Sequence, residues 1–186
     1  MWADRDQYSF DSLVYTLLTD KLFLILLACW AINDHYLKYN YPSAVTGKLS
    51  DVTSLVCTPI IMLIVMLGCI SCSIYVLQKL KEPKAEYSLP TSLYYLLLSL
   101  NACSMGTLMI AINTHNTWSA AYKIGLGYAQ WPWVGIWAWH KYGHWPSLPN
   151  VHLTVDPSDA WTAPAASISL LILHRSCCRL SQESKR

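Results

Sequence analysis

VTSLVCTPIIMLIVMLGCISCSIYVL, residues 52–77, carries no charged side chain. A helix needs about 20 apolar residues to cross the ~30 Å hydrocarbon core of a bilayer, and this stretch supplies them. It sets the class: an all-α, polytopic transmembrane helical bundle. Pro59 in its first third can kink the helix. Composition agrees, with 54% hydrophobic and 13% charged residues among 186; soluble domains carry about 25% charged residues. A net charge of +2 is too small to imply an acidic polymer, so no nucleic-acid partner is expected.

Three more spans are read on either side. Residues 93–112 are apolar, with Asn101 the most polar member. Residues 157–174 are short but sufficient. The first span is ambiguous, because its charge-free core, 22–32, is only half long enough. The expected spans are about 22–40, 52–77, 93–112 and 157–174, in one integral membrane domain covering 1–186. Four spans put both termini and the loop 78–92 on one side. That side holds Arg5, Lys21, Lys79, Lys81, Lys84, Arg175, Arg179, Lys185 and Arg186, against Lys38, Lys48, Lys123 and Lys141 on the other. Positive charge accumulates on the cytoplasmic side, so both termini are predicted to be cytoplasmic. Lys21 then marks the inner end of the first helix, which starts near Leu22, and Asn33-Asp34-His35 fall in its outer half. Asp4, Asp6, Asp11 and Asp20 beside a single Arg5 have the wrong sign for a signal peptide. Residues 11–19 read as an amphipathic lead-in helix at the interface.

The outer loop, 114–155, holds Trp118, Trp131, Trp133, Trp137, Trp139 and Trp145, six of the nine tryptophans. Its apolar run 131–139 is too short to span and suits a re-entrant or interfacial segment. An aromatic belt explains it; an aromatic wall for a lipid, pigment or cation is the functional alternative. No cysteine lies in an outer loop on this topology, so no extracytoplasmic disulfide framework is implied. Cys69 and Cys72 read as small hydrophobes within a span, and Cys177-Cys178, beyond the fourth span, as candidates for acylation.

The candidate ligand-binding residues gather on the outer side: Asp34, His35 and Lys38 after the first span, Lys48 and Asp51 before the second, and Asp159 at the start of the fourth. Ionisable groups at membrane depth are costly unless paired, and they often mark function. Each has a structural alternative. Asp51 can cap the helix that follows it, and Asp156-Pro157-Ser158-Asp159 is a helix-start signal in which Asp156 caps. Asp34 and Lys38, four apart, can neutralise one another. His35 can be a hydrogen-bonded interior histidine. His140 and His144 have metal-ligand spacing, with His152 nearby, but Gly143 and Pro146 oppose a regular helix there, so no metal site is expected. Gly47-Lys48-Leu49-Ser50 lacks the glycine and strand of a phosphate loop. No G-x-S-x-G or H-E-x-x-H motif is present, and no cofactor can be named.

Asn33-Asp34-His35-Tyr36-Leu37-Lys38, then Thr46-Gly47-Lys48-Leu49-Ser50-Asp51, then Asp156-Pro157-Ser158-Asp159 followed by Pro164, resemble motifs of small uncharacterised bacterial integral membrane proteins: N-D-H-x-x-K, T-G-K-L-S-D and D-P-[ST]-D. The three motifs touch most of the chain, and the middle one, six consecutive residues, is fairly specific. Trp161 and Thr162 stand where small aliphatic residues are expected, and the third loop is unusually aromatic. The resemblance implies a four-span bacterial membrane protein and no particular activity.

Three functions remain. In the first, Asp34, His35, Lys48 and Asp159 converge in the outer third of the bilayer and bind a cation, a lipid headgroup or a small polar ligand. In the second, the chain is a structural or assembly subunit, a homo-oligomer or part of a membrane complex. Its small residues Gly106, Ser99 and 160–169 then permit close helix approach. In the third, Asp and His perform acid–base chemistry on a membrane-embedded substrate. The lipid bilayer is a partner in all three.

Overall fold

The computed structural model describes residues 7–81, 88–151, 153 and 155–183. Asp4, Arg5, Asp6, Lys84, His152, Lys185 and Arg186 lie outside the described residues. The chain is all-α: α1 (Phe10–Leu18), α2 (Lys21–Ile32), a π turn (Asn33–Leu37), α3 (Lys38–Asn40), α4 (Ala44–Lys81), α5 (Thr91–Thr114), α6 (Asn116–Tyr142), a 3-10 helix (Pro157–Ser167) and α7 (Ile168–Glu183). Two three-residue strands, β1 (Gln7–Ser9) and β2 (Ser88–Pro90), pair antiparallel with Tyr8 opposite Leu89. The contacts divide into two compact units, Met1–Gly106 with Thr162–Arg186, and Thr107–Trp161.

In the first unit the charge pattern fixes where α1 stops and α2 begins. Thr19 closes α1, its hydroxyl donating to Tyr15 O. Asp20 is extended, and its Oδ1 accepts from the N–H groups of Leu22 and Phe23 at 2.9 and 3.2 Å. This N-cap starts α2 within one residue of the expected Leu22. The two helices meet at a bend of 57°. Asp20 is 1% exposed, and its Oδ2 lies 3.6 Å from Arg175 Nε of α7.

Helix α4 begins at Ala44, not at Val52. Ser43 and Thr46 form a reciprocal capping box: Thr46 N–H donates to Ser43 Oγ, and Ser43 N–H to Thr46 Oγ1. Asp51, expected to cap this helix, therefore lies inside it. Apolarity marks where a membrane begins, whereas a helix begins where its free N–H groups find acceptors, and here these points differ. The helix runs through Pro59 without interruption.

The core packs Leu13 and Leu17 of α1, Val56 and Ile60 of α4, and Ile172 and Leu173 of α7 with a fully buried Tyr94. Tyr94 stands edge-on to Phe10 and donates to Tyr8 O, and Tyr8 donates to Cys177 O. Tyr8 of β1 is thereby tied to α7. Gly106 uses its missing side chain inside the chain: an added Cβ would lie 3.3 Å from Ala163 O.

Among the described residues two helices are long and apolar enough to cross a membrane, Ala44–Ser73 within α4 and Thr91–Thr114; the bent pair Phe10–Leu18 with Lys21–Asn40 makes a third if it counts as one span. Val65, Leu96, Leu100 and Ile110 on these helices are exposed, as lipid contact requires and water disfavours. The expected fourth span, 157–174, is not a regular α-helix: its first eleven residues are 3-10, and α7 follows. Pro164, which has no N–H to donate, sits in that stretch.

The second unit corrects the sequence reading most. Residues 116–142, expected to be loop with a short segment at 131–139, form one helix of 27 residues. Lys123, Gly125, Gly127 and Pro132 interrupt apolarity but not the helix. Gly127 and Gly135 lie under the returning chain, where an added Cβ would press on Pro149 O and on the Trp145 ring respectively. The Trp131 indole N–H donates to Pro146 O at 3.0 Å and its ring meets Trp145 edge-on. Gly143, left-handed at φ 72°, ends the helix, with its N–H on Trp139 O. Trp118, Trp133, Trp137 and Trp139 remain exposed on α6.

Candidate functional site

The first two motifs meet in the first unit. At Asn33–Leu37 the helix widens into a π turn, with Lys38 N–H bonded to Asn33 O. In an α-helix consecutive side chains are about 100° apart. The wider turn takes up an extra residue, and both Asn33 and Asp34 reach the start of α4. Asn33 is fully buried; its Nδ2 donates to Thr46 O at 2.8 Å, and its Oδ1 has no hydrogen-bond partner. Asp34 Oδ1 accepts from the Ser50 hydroxyl at 2.6 Å, within the range of a charge-assisted bond, and Oδ2 accepts from the Trp30 indole N–H at 2.8 Å. Single π turns inside α-helices are rare and occur frequently at functional sites.

The Asp34–Lys38 pair expected from spacing is not formed. Helical side chains lean toward the N-terminus, so Asp34 reaches back to Trp30 and across to Ser50, and Lys38 stays exposed. His35, expected to be an interior hydrogen-bonded histidine, is exposed and bonds to none of the described residues. The Asp34 oxygens bond to Trp30 and Ser50, and no hydrogen bond or ion pair joins them to His35. Lys48 and Asp51 lie half-buried on the first turns of α4, flanking Ser50 in sequence. Asp159 belongs to the second unit, in the first turn of the 3-10 helix. Its N–H bonds to Asp156 O, and Asp156 Oδ1 accepts from Ser158 N–H, which is the capping expected of Asp156. Asn113 Oδ1 also accepts from Asp156 N–H, anchoring that start.

Among the described residues no group of three or more His, Cys, Asp or Glu is placed to hold a metal ion. His140 is inside α6, and His144 is beyond the Gly143 break. All seven cysteines are free thiols. A shallow, mostly apolar groove of about 430 Å3, lined by Phe10, Val14, Leu67 and Tyr75 among others, does not include the polar turn. Sequence reasoning missed Trp30, Asn33 and Ser50 as parts of the site. The signal was present for all three: Trp30 stands four residues before Asp34, Asn33 opens the first motif, and Ser50 is inside the six-residue motif. Comparison with protein-family profiles, with curated proteins and with solved structures gave no match.

Proposed function

We propose that the chain is a four-span integral membrane protein with cytoplasmic termini, whose polar turn binds a small cation or the ammonium group of a lipid headgroup. The observation that carries this reading is the oxygen set at the π turn. The Asp34 carboxylate is held by two neutral donors, and beside it in the chain Asn33 offers a buried, unpartnered amide oxygen. A buried acceptor without a donor costs about 1–3 kcal/mol, a cost that a bound cation removes. The excess of lysine and arginine on one side supports the orientation. The 3-10 geometry supports the fourth span, since a 3-10 helix rises about 2.0 Å per residue against 1.5 Å for an α-helix and so reaches further. The exposed tryptophans of α6 suit the headgroup level, where such rings are half wet.

A second reading has its own observation. The bonds from Asn33 to Thr46 and from Ser50 to Asp34 tie the α2–α3 segment to α4 and would serve equally as a clasp in a structural or assembly subunit. One experiment separates the two. The Trp30 indole N–H reports on Asp34, so its 15N–1H resonance, assigned by Trp30→Phe, is followed in nanodiscs during titration with Na+, K+, Mg2+, Ca2+ and ethanolamine. Binding predicts a saturable shift for at least one cation that Asp34→Asn abolishes in folded protein. A clasp predicts no shift with any of them and loss of stability in both Asp34→Asn and Ser50→Ala.

A further inference from the structure

On α7, away from the polar turn, a thiol and an imidazole are set one helical turn apart. Cys178 Sγ lies 3.6 Å from His174 Nε2, and His174 Nδ1 lies 3.0 Å from the Tyr95 hydroxyl of α5. In the tautomer in which His174 Nδ1–H donates to the Tyr95 hydroxyl oxygen, the Nε2 lone pair faces Cys178. Nucleophile, base and orienting group are then in the order that activates a cysteine.

We propose that Cys178 is an S-acylation site, loaded from a long-chain fatty acyl thioester with His174 as the base. His174 Nε2 takes the thiol proton as Sγ attacks the thioester carbonyl. The tetrahedral adduct collapses, the bond to the donor's sulfur breaks, and the departing thiolate recovers the proton from His174. The products are acyl-Cys178 and free donor thiol, with no change of oxidation state.

The position suits this substrate. Tyr95 lies in the first turns of Thr91–Thr114, one of the helices able to cross a membrane, so the cluster sits at an end of that helix. Cysteines next to a membrane segment are where reversible acylation occurs. Exposed Leu171 on α7, with Leu96 and Leu100 on α5, offers apolar surface for the acyl chain. Exposed Arg175 and Arg179 flank the pair and suit the phosphates of an acyl carrier. The adjacent Cys177 is 6% exposed whereas Cys178 is exposed, so the two neighbouring thiols have different fates.

The test uses the full chain in phosphatidylcholine nanodiscs with palmitoyl-coenzyme A as the donor. Peptide mapping by mass spectrometry then locates hydroxylamine-labile acyl groups among the seven cysteines. The expected result is acylation of Cys178 ahead of the other exposed thiols, Cys29, Cys69, Cys72 and Cys103, with none on Cys177. His174→Gln should slow loading of Cys178 by roughly 100-fold, the lower end of a general base's contribution. Tyr95→Phe should slow it less. Equal acylation of Cys178 and Cys69 or Cys72 overturns the proposal, as does an unchanged rate in His174→Gln. Should His174→Gln unfold, shown by maleimide access to buried Cys57, the distribution in the unaltered chain decides alone.

Discussion

Replacing Asp20 with alanine removes three interactions at one point, the bend between α1 and α2. Two backbone N–H groups, of Leu22 and Phe23, lose the acceptor they share. Loss of an N-cap costs about 1 kcal/mol, and a buried donor left without a partner adds about 1–3 kcal/mol. The Arg175 ion pair contributes under about 1 kcal/mol, because the arginine side chain is 48% exposed. Asp20→Ala should therefore cost about 2–4 kcal/mol. Asparagine keeps the oxygen that caps the helix, so Asp20→Asn should cost only about 1 kcal/mol. The assay is unfolding in detergent, followed by reaction of a thiol-specific dye with Cys57, which is buried against α4's neighbours until the unit opens. An Asp20→Ala protein within about 0.5 kcal/mol of the original would refute the capping argument. An asparagine variant as unstable as the alanine one would move the stabilisation from the cap to the ion pair.

Other substitutions probe other joints. Ser43→Ala removes half of the capping box and should destabilise α4 by about 1 kcal/mol in the same unfolding assay. Gly135→Ala places a methyl group where the Trp145 ring lies, so it should displace that ring, cost about 1–3 kcal/mol, and red-shift tryptophan emission. Burial pushes the Cys177 thiol up from 9.0 to about 11. The unfolded chain thus gives up this proton from pH 9 while the folded one holds it to about pH 11. Stability from this group is complete below pH 9 and should fall by up to about 2–3 kcal/mol between pH 9 and 11. Comparison with Cys177→Ala, in which that fall should vanish, isolates it.

Much of the helical layout was legible because long apolar runs have few alternatives. Residues 52–77 and 93–112 could only be long helices, and both lie within α4 and α5. The start of α2 was legible because Lys21 marks the inner end of its apolar run; the Asp20 cap that sets it came from the structure. What was not legible depended on signals that apolarity does not carry. Helix α6 is amphipathic and aromatic, with glycines placed for packing, so hydropathy broke it into pieces. The polar turn was found as a stretch but not as a geometry. Asp34 and Ser50 are sixteen residues apart, and nothing local says which of Lys38, Trp30 or Ser50 the carboxylate will choose. The interior alternative for His35 failed for a similar reason: the imidazole is exposed, and no neighbouring residue type announces that.

That turn also bears on how the chain tolerates changes in length. A π turn is an α-helix that has absorbed one surplus residue. The positions before Asn33 and after Leu37 are therefore counted on two helical wheels offset by about 100°. Deleting a single residue inside 33–37, Tyr36 for example, would restore one continuous wheel and leave a longer regular helix. Yet it would rotate α3 by that angle and swing the turn at Tyr41 away from the start of α4. Most helices lose stability when a residue is removed; here the helix itself would be repaired, and what would be lost is the alignment of Asn33 with Thr46 and of Asp34 with Ser50.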